Sequence, residues 1–154
     1  MIAAPVIRLA RTCDARLIAE MSRDYIEHGL GWSWTPARVL AAVADTTTNI
    51  AVIGAPESIA GFGIMQYGDD TAHLSLLAVR PHQQQRGLGR LLMAWLEEPA
   101  RVAGIGCIRL EARADNPTAI AFYRKLDYLE SSRVSGYYRG TIDAVRLEKR
   151  LFLR

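Results

Sequence analysis

Apolar residues recur at helical spacing just after the middle of the chain. They occupy positions i, i+3, i+4, i+7 and i+8 of one segment, at Leu88, Leu91, Leu92, Trp95 and Leu96. This spacing predicts an amphipathic helix with one buried face. We expect Pro99 to interrupt or kink the helix, and Gly104 and Gly106 to close it.

Strand-like runs precede this helix. Three apolar runs are separated by turn-forming residues at hairpin lengths, which predicts an antiparallel meander over residues 49–54, 58–67 and 71–79. In the third run polar and apolar residues alternate as far as Leu76. The alternation is lost from Leu77 to Val79, which indicates a β-bulge there. A further strand is expected at residues 5–10.

Start signals predict three more helices. Thr12 is a candidate N-cap of the first, which carries on one face Ile18, Met21 and Tyr25. Thr35 as the cap and Pro36 at the first helical position open the second. Asn116 caps another helix, whose buried side is expected to hold Ala119, Phe122, Tyr123 and Leu126.

The order of these elements indicates the fold class. The strand at 71–79, the helix after it and a strand at 107–112 form a crossover, which pairs the two strands in parallel. Residues 128–134 and 143–151 are predicted to be two closing strands around the loop 135–140. We therefore predict an α/β (α+β) fold with a mixed, mostly antiparallel sheet and a central parallel pair, in a single domain spanning residues 1–154.

Composition excludes several classes of protein. Half of the 154 residues are apolar, and the net charge of +3 is scattered, which is too little for a nucleic-acid surface. Neither the histidines nor Cys13 and Cys107 show the spacing of metal ligands, and we expect Cys107 to be an inert core thiol. No apolar run approaches the ~18 residues of a membrane span. We predict a cytoplasmic protein, monomer or homodimer, with no metal, nucleic-acid or membrane partner.

Two glycines stand where the strand at 71–79 leads into the amphipathic helix. A helix N-terminus leaves backbone N–H groups unpaired and attracts anions, and Gly87 and Gly89 would let an anion come close. Arg86 and Arg90 add positive charge. This pattern predicts a phosphate or pyrophosphate site. The alternative is that Gly87 only breaks the chain and Gly89 only lets the helix pack closely.

The segment from Gln84 to Gly89 resembles the acetyl-CoA loop of the GCN5-related N-acetyltransferase superfamily, and the resemblance extends over residues 76–128. It implies a sheet of six to seven strands, about four helices on both faces, and acetyl-CoA as co-substrate. The pyrophosphate would be held by Gln84, Gln85, Arg86, Gly87, Leu88, Gly89 and Arg90. The pantetheine arm would pair with the backbone of Leu77, Ala78 and Val79, and Asn116 would contact it near the thiol. Asp127 departs from the usual glycine, at a site that needs a left-handed backbone.

Acetyl transfer to an amine needs an acid, a base and an oxyanion donor. Tyr123 lies where this family has its general acid, close to the coenzyme A thiol, although it could instead pack in the core. Glu111 lies in a stretch similar to the ribosomal-protein alanine N-acetyltransferase branch, where the matching glutamate is the base; the alternative is a surface or salt-bridged group. The N–H of Val79 or its neighbour, freed by the expected bulge, would donate to the oxyanion.

The acceptor is expected between the segment joining the first two helices and the loop between the last two strands. Aromatic residues there would wall a groove or belong to the core, namely Trp32, Trp34, Tyr137 and Tyr138. The resemblance favours a peptide or protein N-terminus as acceptor, slightly ahead of a small amine or a lysine. A non-catalytic coenzyme A sensor or regulatory module is the alternative function.

Overall fold

The computed structural model describes residues 5–55, 58–84 and 86–152. Their strands and helices follow one another as β1 (Val6–Leu9), α1 (Ala15–Tyr25), α2 (Pro36–Ala44), β2 (Thr48–Ala55), β3 (Ser58–Tyr67), β4 (Thr71–Val79), α3 (Leu88–Val102), β5 (Cys107–Arg113), α4 (Pro117–Lys125), β6 (Leu129–Tyr138) and β7 (Ile142–Arg150). Short 3₁₀ turns at Thr12–Asp14 and Pro81–Gln83 precede α1 and α3.

The strands form one sheet in the order β1-β2-β3-β4-β5-β7-β6. β4 and β5 are parallel, and the other neighbouring strands of the described chain pair antiparallel. The predicted fold class, with its mostly antiparallel sheet and central parallel pair, is confirmed. β4 and β5 are neighbours near the centre of this sheet. The residues that follow these two strands therefore reach the surface near its centre.

Helices cover both faces of the sheet. One core cluster joins α3 and α4 to the sheet through residues such as Leu92, Leu96 and Tyr123. The second cluster joins α1 and α2 to the opposite face through residues such as Ile18 and Val39. Both faces of β2 and β3 are therefore buried, which is why these strands are apolar on both sides.

α3 buries a different stripe from the predicted one. Leu91 is 45% exposed and Trp95 is half-buried. The buried residues of the helix are Leu88, Leu92, Met93, Leu96, Glu97 and Ala100. The helix is thus rotated so that Met93, rather than Leu91, points to the sheet. Pro99 does not end the helix, which continues to Val102.

The bulge in β4 lies at Ser75 and not at 77–79. Ile64 of β3 pairs with Leu76 and the next residue, Met65, pairs with Leu74, so Ser75 has no partner on β3. One extra residue reverses the faces of a strand. Leu74 accordingly belongs to the cluster of α3 and α4, and Leu76 to that of α1 and α2. Polarity stops alternating after Leu76 because both faces are buried, so the expected bulge position was wrong.

Two of the three predicted helix caps are confirmed. The side chain of Thr35 accepts a hydrogen bond from the N–H of Arg38, and that of Asn116 accepts one from the N–H of Ala119. Thr12 is not a cap, because it lies in the 3₁₀ turn before α1. The carboxylate of Asp14 there accepts a hydrogen bond from the N–H of Arg11 at 2.7 Å.

The last hairpin is tighter than predicted. β6 runs through Tyr137 to Tyr138, so these tyrosines belong to the strand and not to a loop. The strands reconnect through a short turn at Arg139 and Gly140, both with positive φ. Asp127 has φ 72°, which confirms the left-handed backbone expected there. Within the described residues, every helix is too short or too polar to cross a membrane.

Candidate active site

β4 and β5 separate at the bulge, and a cleft opens between them. The parallel register joins Thr71–Leu74 to Cys107–Leu110, whereas β4 continues to Val79 and β5 to Arg113. The cleft has a volume of about 850 Å³ and is lined by both strands, α4, the α1–α2 loop and the β6–β7 hairpin. It therefore brings together chain segments from both faces of the sheet.

Tyr123 reaches this cleft from α4. Its side chain is 8% exposed, belongs to the α3 and α4 core cluster and also lines the cleft. Burial raises the pKa of the Tyr123 hydroxyl above its ordinary value, with a further contribution from nearby Tyr138. The phenol is therefore fully protonated at neutral pH and has a proton to donate. Tyr123 thus packs in the core, which was the alternative to a catalytic role, and it also lines the cleft, as expected of an acid.

Glu111 enters the same cleft from the opposite face of β5. One carboxylate oxygen lies 2.8 Å from Nε2 of His73 and accepts a hydrogen bond from the hydroxyl of Tyr137 at 3.2 Å. The other accepts from Nε of Arg146 at 3.3 Å. The hydrogen bond to His73, together with Arg146, holds the pKa of Glu111 below its ordinary value despite burial. Glu111 is therefore ionised at neutral pH and fixed in orientation.

Of the residues expected to hold the cofactor, Leu77, Asn116 and Tyr123 line the cleft, whereas Ala78, Val79 and the described part of the loop 84–90 lie outside its lining. On the side facing β5, β4 has no partner strand beyond Leu74 in the described chain. The amide of Gln84 donates to the carbonyl of Val79 at 3.1 Å and so ties the loop to the end of β4. Asn116 lines the cleft at the start of α4. Gln85 lies outside the described residues.

The two glycines of the loop have different structural roles. Gly87 has φ 78° and precedes α3, and a Cβ there would meet no atom within 4 Å. A Cβ at Gly89 would lie 3.0 Å from the ring of Phe122, so this glycine lets α3 pack against α4. The first hydrogen bond of the α-helix is donated by the N–H of Leu91 to the carbonyl of Gly87. The N–H groups before Leu91 therefore have no partner within the helix. Arg86 and Arg90 are exposed beside them.

The four aromatic residues predicted for the acceptor side all line the cleft: Trp32, Trp34, Tyr137 and Tyr138. The two tyrosine rings stand edge to face at 4.9 Å. The indole N–H of Trp32 donates to the carbonyl of Ala19 at 3.0 Å, which fixes its ring on α1. The guanidinium of Arg38 lies 3.8 Å from the ring centre of Trp34.

Glu27 organises the α1–α2 loop and was missed by the sequence analysis. It is 7% exposed and accepts hydrogen bonds from the hydroxyls of Ser22 and Ser33 and from the N–H groups of Ser33 and Trp34. Burial alone would raise the pKa of Glu27, but these hydrogen bonds outweigh it and lower the pKa. Serines five residues before and six residues after a glutamate were the available signal, and that signal is weak.

A second buried acid supports the position of Tyr123. Glu97 of α3 is 5% exposed, accepts a hydrogen bond from the hydroxyl of Tyr128 at 2.8 Å and pairs with Lys149 of β7 at 2.9 Å. The ring of Tyr128 stands edge-on to that of Tyr123, with 5.9 Å between centres. Glu97 therefore holds the ring against which Tyr123 packs.

The remaining chemically reactive residues have structural surroundings. Cys107 is half-buried, and burial with nearby Glu148 raises the pKa of its thiol. Such a thiol is unreactive as a nucleophile. In the described ranges, no group of three or more His, Cys, Asp or Glu side chains is placed to hold a metal ion.

A family model described as acetyltransferase (GNAT) family matches residues 16–128. The chain belongs to this family. The match begins in α1 and includes the whole strand, loop and helix around Gly87, as well as Glu111 and Tyr123. It ends at Tyr128, before the hairpin that carries Tyr137 and Tyr138.

Curated relatives in the GNAT family are similar over part of their length. The [ribosomal protein bS18]-alanine N-acetyltransferase of Salmonella typhimurium is 38% identical over 94 residues, which cover 59% of this chain and 64% of that protein. Streptothricin acetyltransferase of Streptomyces lavendulae is 34% identical over 100 residues, which cover 64% of this chain and 52% of that protein. The chain therefore spans less than two thirds of the length of these curated relatives.

Solved GNAT structures match over almost the whole chain. The ribosomal-protein-S18-alanine N-acetyltransferase of Escherichia coli superposes with a TM-score of 0.80 at 27% identity, covering 98% of this chain and 96% of that one. Ard1 of Thermoplasma volcanium has a TM-score of 0.85 at 23% identity, covering 98% and 100% of the two chains. The second likeness shows the fold alone, and it includes the β6–β7 hairpin.

Proposed function

We propose that this protein is an N-acetyltransferase that moves the acetyl group of acetyl-CoA directly to an amine, with a peptide or protein N-terminus as the favoured acceptor. The observation that carries the proposal is the cleft between β4 and β5. There a protonated tyrosine, Tyr123, and an ionised carboxylate, Glu111, come from opposite faces of the sheet to one space. Family membership supports the same reaction.

The residues around the cleft fit coenzyme A. The edge of β4 beyond Ser75 offers backbone groups to an extended amide chain such as the pantetheine arm, and Asn116 lies beside this edge in the same cleft. The open space at Gly87, the N–H groups at the start of α3 and the exposed Arg86 and Arg90 suit a pyrophosphate. When bound there, acetyl-CoA supplies the thioester that the reaction consumes.

Residues of this chain can then act as the base, the acid and the oxyanion donor of the reaction. Glu111, directly or through water, takes the proton that the amine must lose, and His73 and Arg146 keep its carboxylate oriented. Tyr123 gives its proton to the departing thiolate. Val79 is in register with Gly61 of β3, whereas Ser75 at the bulge has no partner there. A backbone N–H of β4 next to Ser75, and not that of Val79, would therefore donate to the oxyanion.

The acceptor assignment draws on the aromatic walls of the cleft and on the relatives. Trp32 and Trp34 on one side and Tyr137 and Tyr138 on the other leave a groove that leads to Glu111. The solved structure that the chain resembles at 27% identity over its length is named a ribosomal-protein-S18-alanine N-acetyltransferase, and its printed acceptor is thus an alanine of a protein.

Thiol release from acetyl-CoA with a panel of amines tests the proposal. We expect turnover with peptides that have a free α-amine and little with the same peptides after N-terminal blocking. Binding of acetyl-CoA and CoA, measured by calorimetry, is expected in both cases. Binding of both without turnover on any amine would instead favour the non-catalytic sensor or regulatory module.

A further inference from the structure

We propose that the acceptor carries a carboxylate beside its amine, and that Arg38 and Arg139 at the rim of the cleft recognise it. The shared chemistry is an acidic side chain within the first residues of a peptide, or the carboxylate of a free amino acid. This inference rests on the proposed function, because it names the acceptor class of the same cleft. Both arginines line that cleft.

The acidic groups of the cleft have no charge left to pair with an acceptor. Three carboxylates line the cleft, and each is satisfied within the protein. Glu27 accepts hydrogen bonds from two serines and the backbone, Glu111 is bound by His73 and Arg146, and Asp115 pairs with Arg113.

The arginines of the rim are in the opposite situation. Among the residues that the structure describes, neither Arg38 nor Arg139 forms an ion pair. A cationic acceptor would therefore find no unpaired carboxylate in the cleft, whereas an anionic one finds two guanidinium groups.

The local backbone disfavours an arginine at both positions. Arg139 has φ 54°, a left-handed conformation that glycine, asparagine or aspartate adopts more easily. Arg38 lies in the first turn of α2, where the helix dipole favours an acidic residue and none is present. Residues that oppose local preference are typical of functional sites.

Both guanidinium groups pack against neighbouring groups, which limits their motion. The central carbon of the Arg38 guanidinium lies over the ring of Trp34, at 3.8 Å from the ring centre. That of Arg139 lies so close to Gly31 that a Cβ there would overlap it. Arg139 thus spans from the β6–β7 hairpin to the α1–α2 loop, the two segments that border the acceptor groove. Positioned charges bind an anion with less loss of side-chain entropy than mobile ones.

Three peptides that differ only at the residue after the N-terminus, with Glu, Gln or Lys there, test this inference. We expect the Glu peptide to have a kcat/KM roughly three- to tenfold above the Gln peptide, mainly through KM, and the Lys peptide to be the poorest. Free glutamine and glutamine amide, of which only the first carries a carboxylate beside its amine, form the second pair and report on small acceptors. Higher salt should reduce the preference, since the pairs are near the surface.

Variants assign the preference to the two arginines. Arg139→Gln and Arg38→Gln should each reduce it, the double variant should abolish it, and Arg139→Lys should retain most of it. Arg16→Gln, which changes a side chain that is 87% exposed on α1, is the matched control and should leave it unchanged.

Peptide binding to the CoA-loaded protein, followed by tryptophan fluorescence, separates this inference from the proposed function. Tighter binding of the Glu peptide without turnover would support the inference and contradict the reaction. Equal binding of all three peptides, or a preference that survives in the double variant, would overturn the inference even if the protein acetylates them.

Discussion

The cofactor side and the acceptor side of the cleft are built in different ways. The cofactor side comes from one continuous stretch, in which β4, the glycine loop, α3, β5 and α4 follow one another. The acceptor side joins the α1–α2 loop to the β6–β7 hairpin, which lie near opposite ends of the chain. Its contacts, such as Arg139 against Gly31, are long-range.

This difference separates the part of the cleft that the family shares from the part that can set the specificity of a single member. The family model covers the cofactor side in full and ends at Tyr128, so the hairpin of the acceptor side lies outside it. A local strand, loop and helix can be inherited as a unit with its backbone geometry. The acceptor side depends on how two distant segments meet, and a few substitutions there can alter specificity without disturbing the cofactor side.

Removing the Tyr123 hydroxyl should have the largest effect. Tyr123→Phe is expected to lower kcat about 10²- to 10⁴-fold, because the thiolate then leaves without a proton donor. The affinity for CoA should be nearly unchanged. Stopped-flow thiol release and calorimetry measure the two quantities. Tyr67→Phe is the control, since the hydroxyl of Tyr67 donates to the carbonyl of Leu96 and does not line the cleft. An unchanged kcat in Tyr123→Phe would exclude it as the acid.

Neutralising Glu111 should come next. Glu111→Gln is expected to lower kcat/KM about 10²-fold, with Glu130→Gln on the exposed strand β6 as the control. Because the pKa of Glu111 is lowered, its carboxylate is already ionised well below neutral pH. The kcat/KM of the unmodified protein should therefore rise with pH toward the pKa of the acceptor amine, ~8, and not level off near pH 5. A plateau near pH 5 would contradict this assignment.

Gly87→Ala should separate binding from folding on the cofactor side. A side chain at φ 78° costs roughly 1–2 kcal/mol of stability, and the displaced loop should weaken CoA binding several-fold. Gly104→Ala is a matched control, because Gly104 has the same φ and equally open space at the other end of α3. Chemical denaturation should show similar destabilisation of both variants. Equal CoA affinity in both would remove Gly87 from the binding site.

Glu27→Gln should have the smallest effect and be confined to the acceptor side. We expect a loss of about 1 kcal/mol of stability at pH 7 and a moderately higher KM for peptides, with unchanged CoA affinity. The lowered pKa of Glu27 means that its contribution is present above its unfolded pKa, ~4.3, and is lost as pH falls through the folded pKa. The difference in Tm from the unmodified protein should thus shrink as pH falls below the unfolded pKa. Glu20→Gln on α1 is the control. An altered CoA affinity in Glu27→Gln would show that the cofactor side and the acceptor side are not independent.

The accuracy of sequence-based prediction does not follow the division between these two sides, but depends on whether residues close in the chain determine a feature. The meander, the parallel pair, the caps at Thr35 and Asn116 and the left-handed Asp127 are local patterns, and the structure confirms each. The bulge position was wrong because burial of both faces removes alternation without any bulge. Similarly, the stripe of α3 was shifted because the sheet, and not the helix pattern alone, determines which residues it covers.

The sequence by itself determined the order of elements, the glycine loop before α3, and the presence of a tyrosine and a glutamate in the right segments. These features depend on spacing, turn chemistry and capping, which act between residues close in the chain. Only the tertiary structure decided that Ser75 reverses the faces of β4, that His73 and Arg146 hold Glu111, and that Arg139 crosses to Gly31. These contacts join residues far apart in sequence, and their free energy is realised only once the sheet and its helices have packed together.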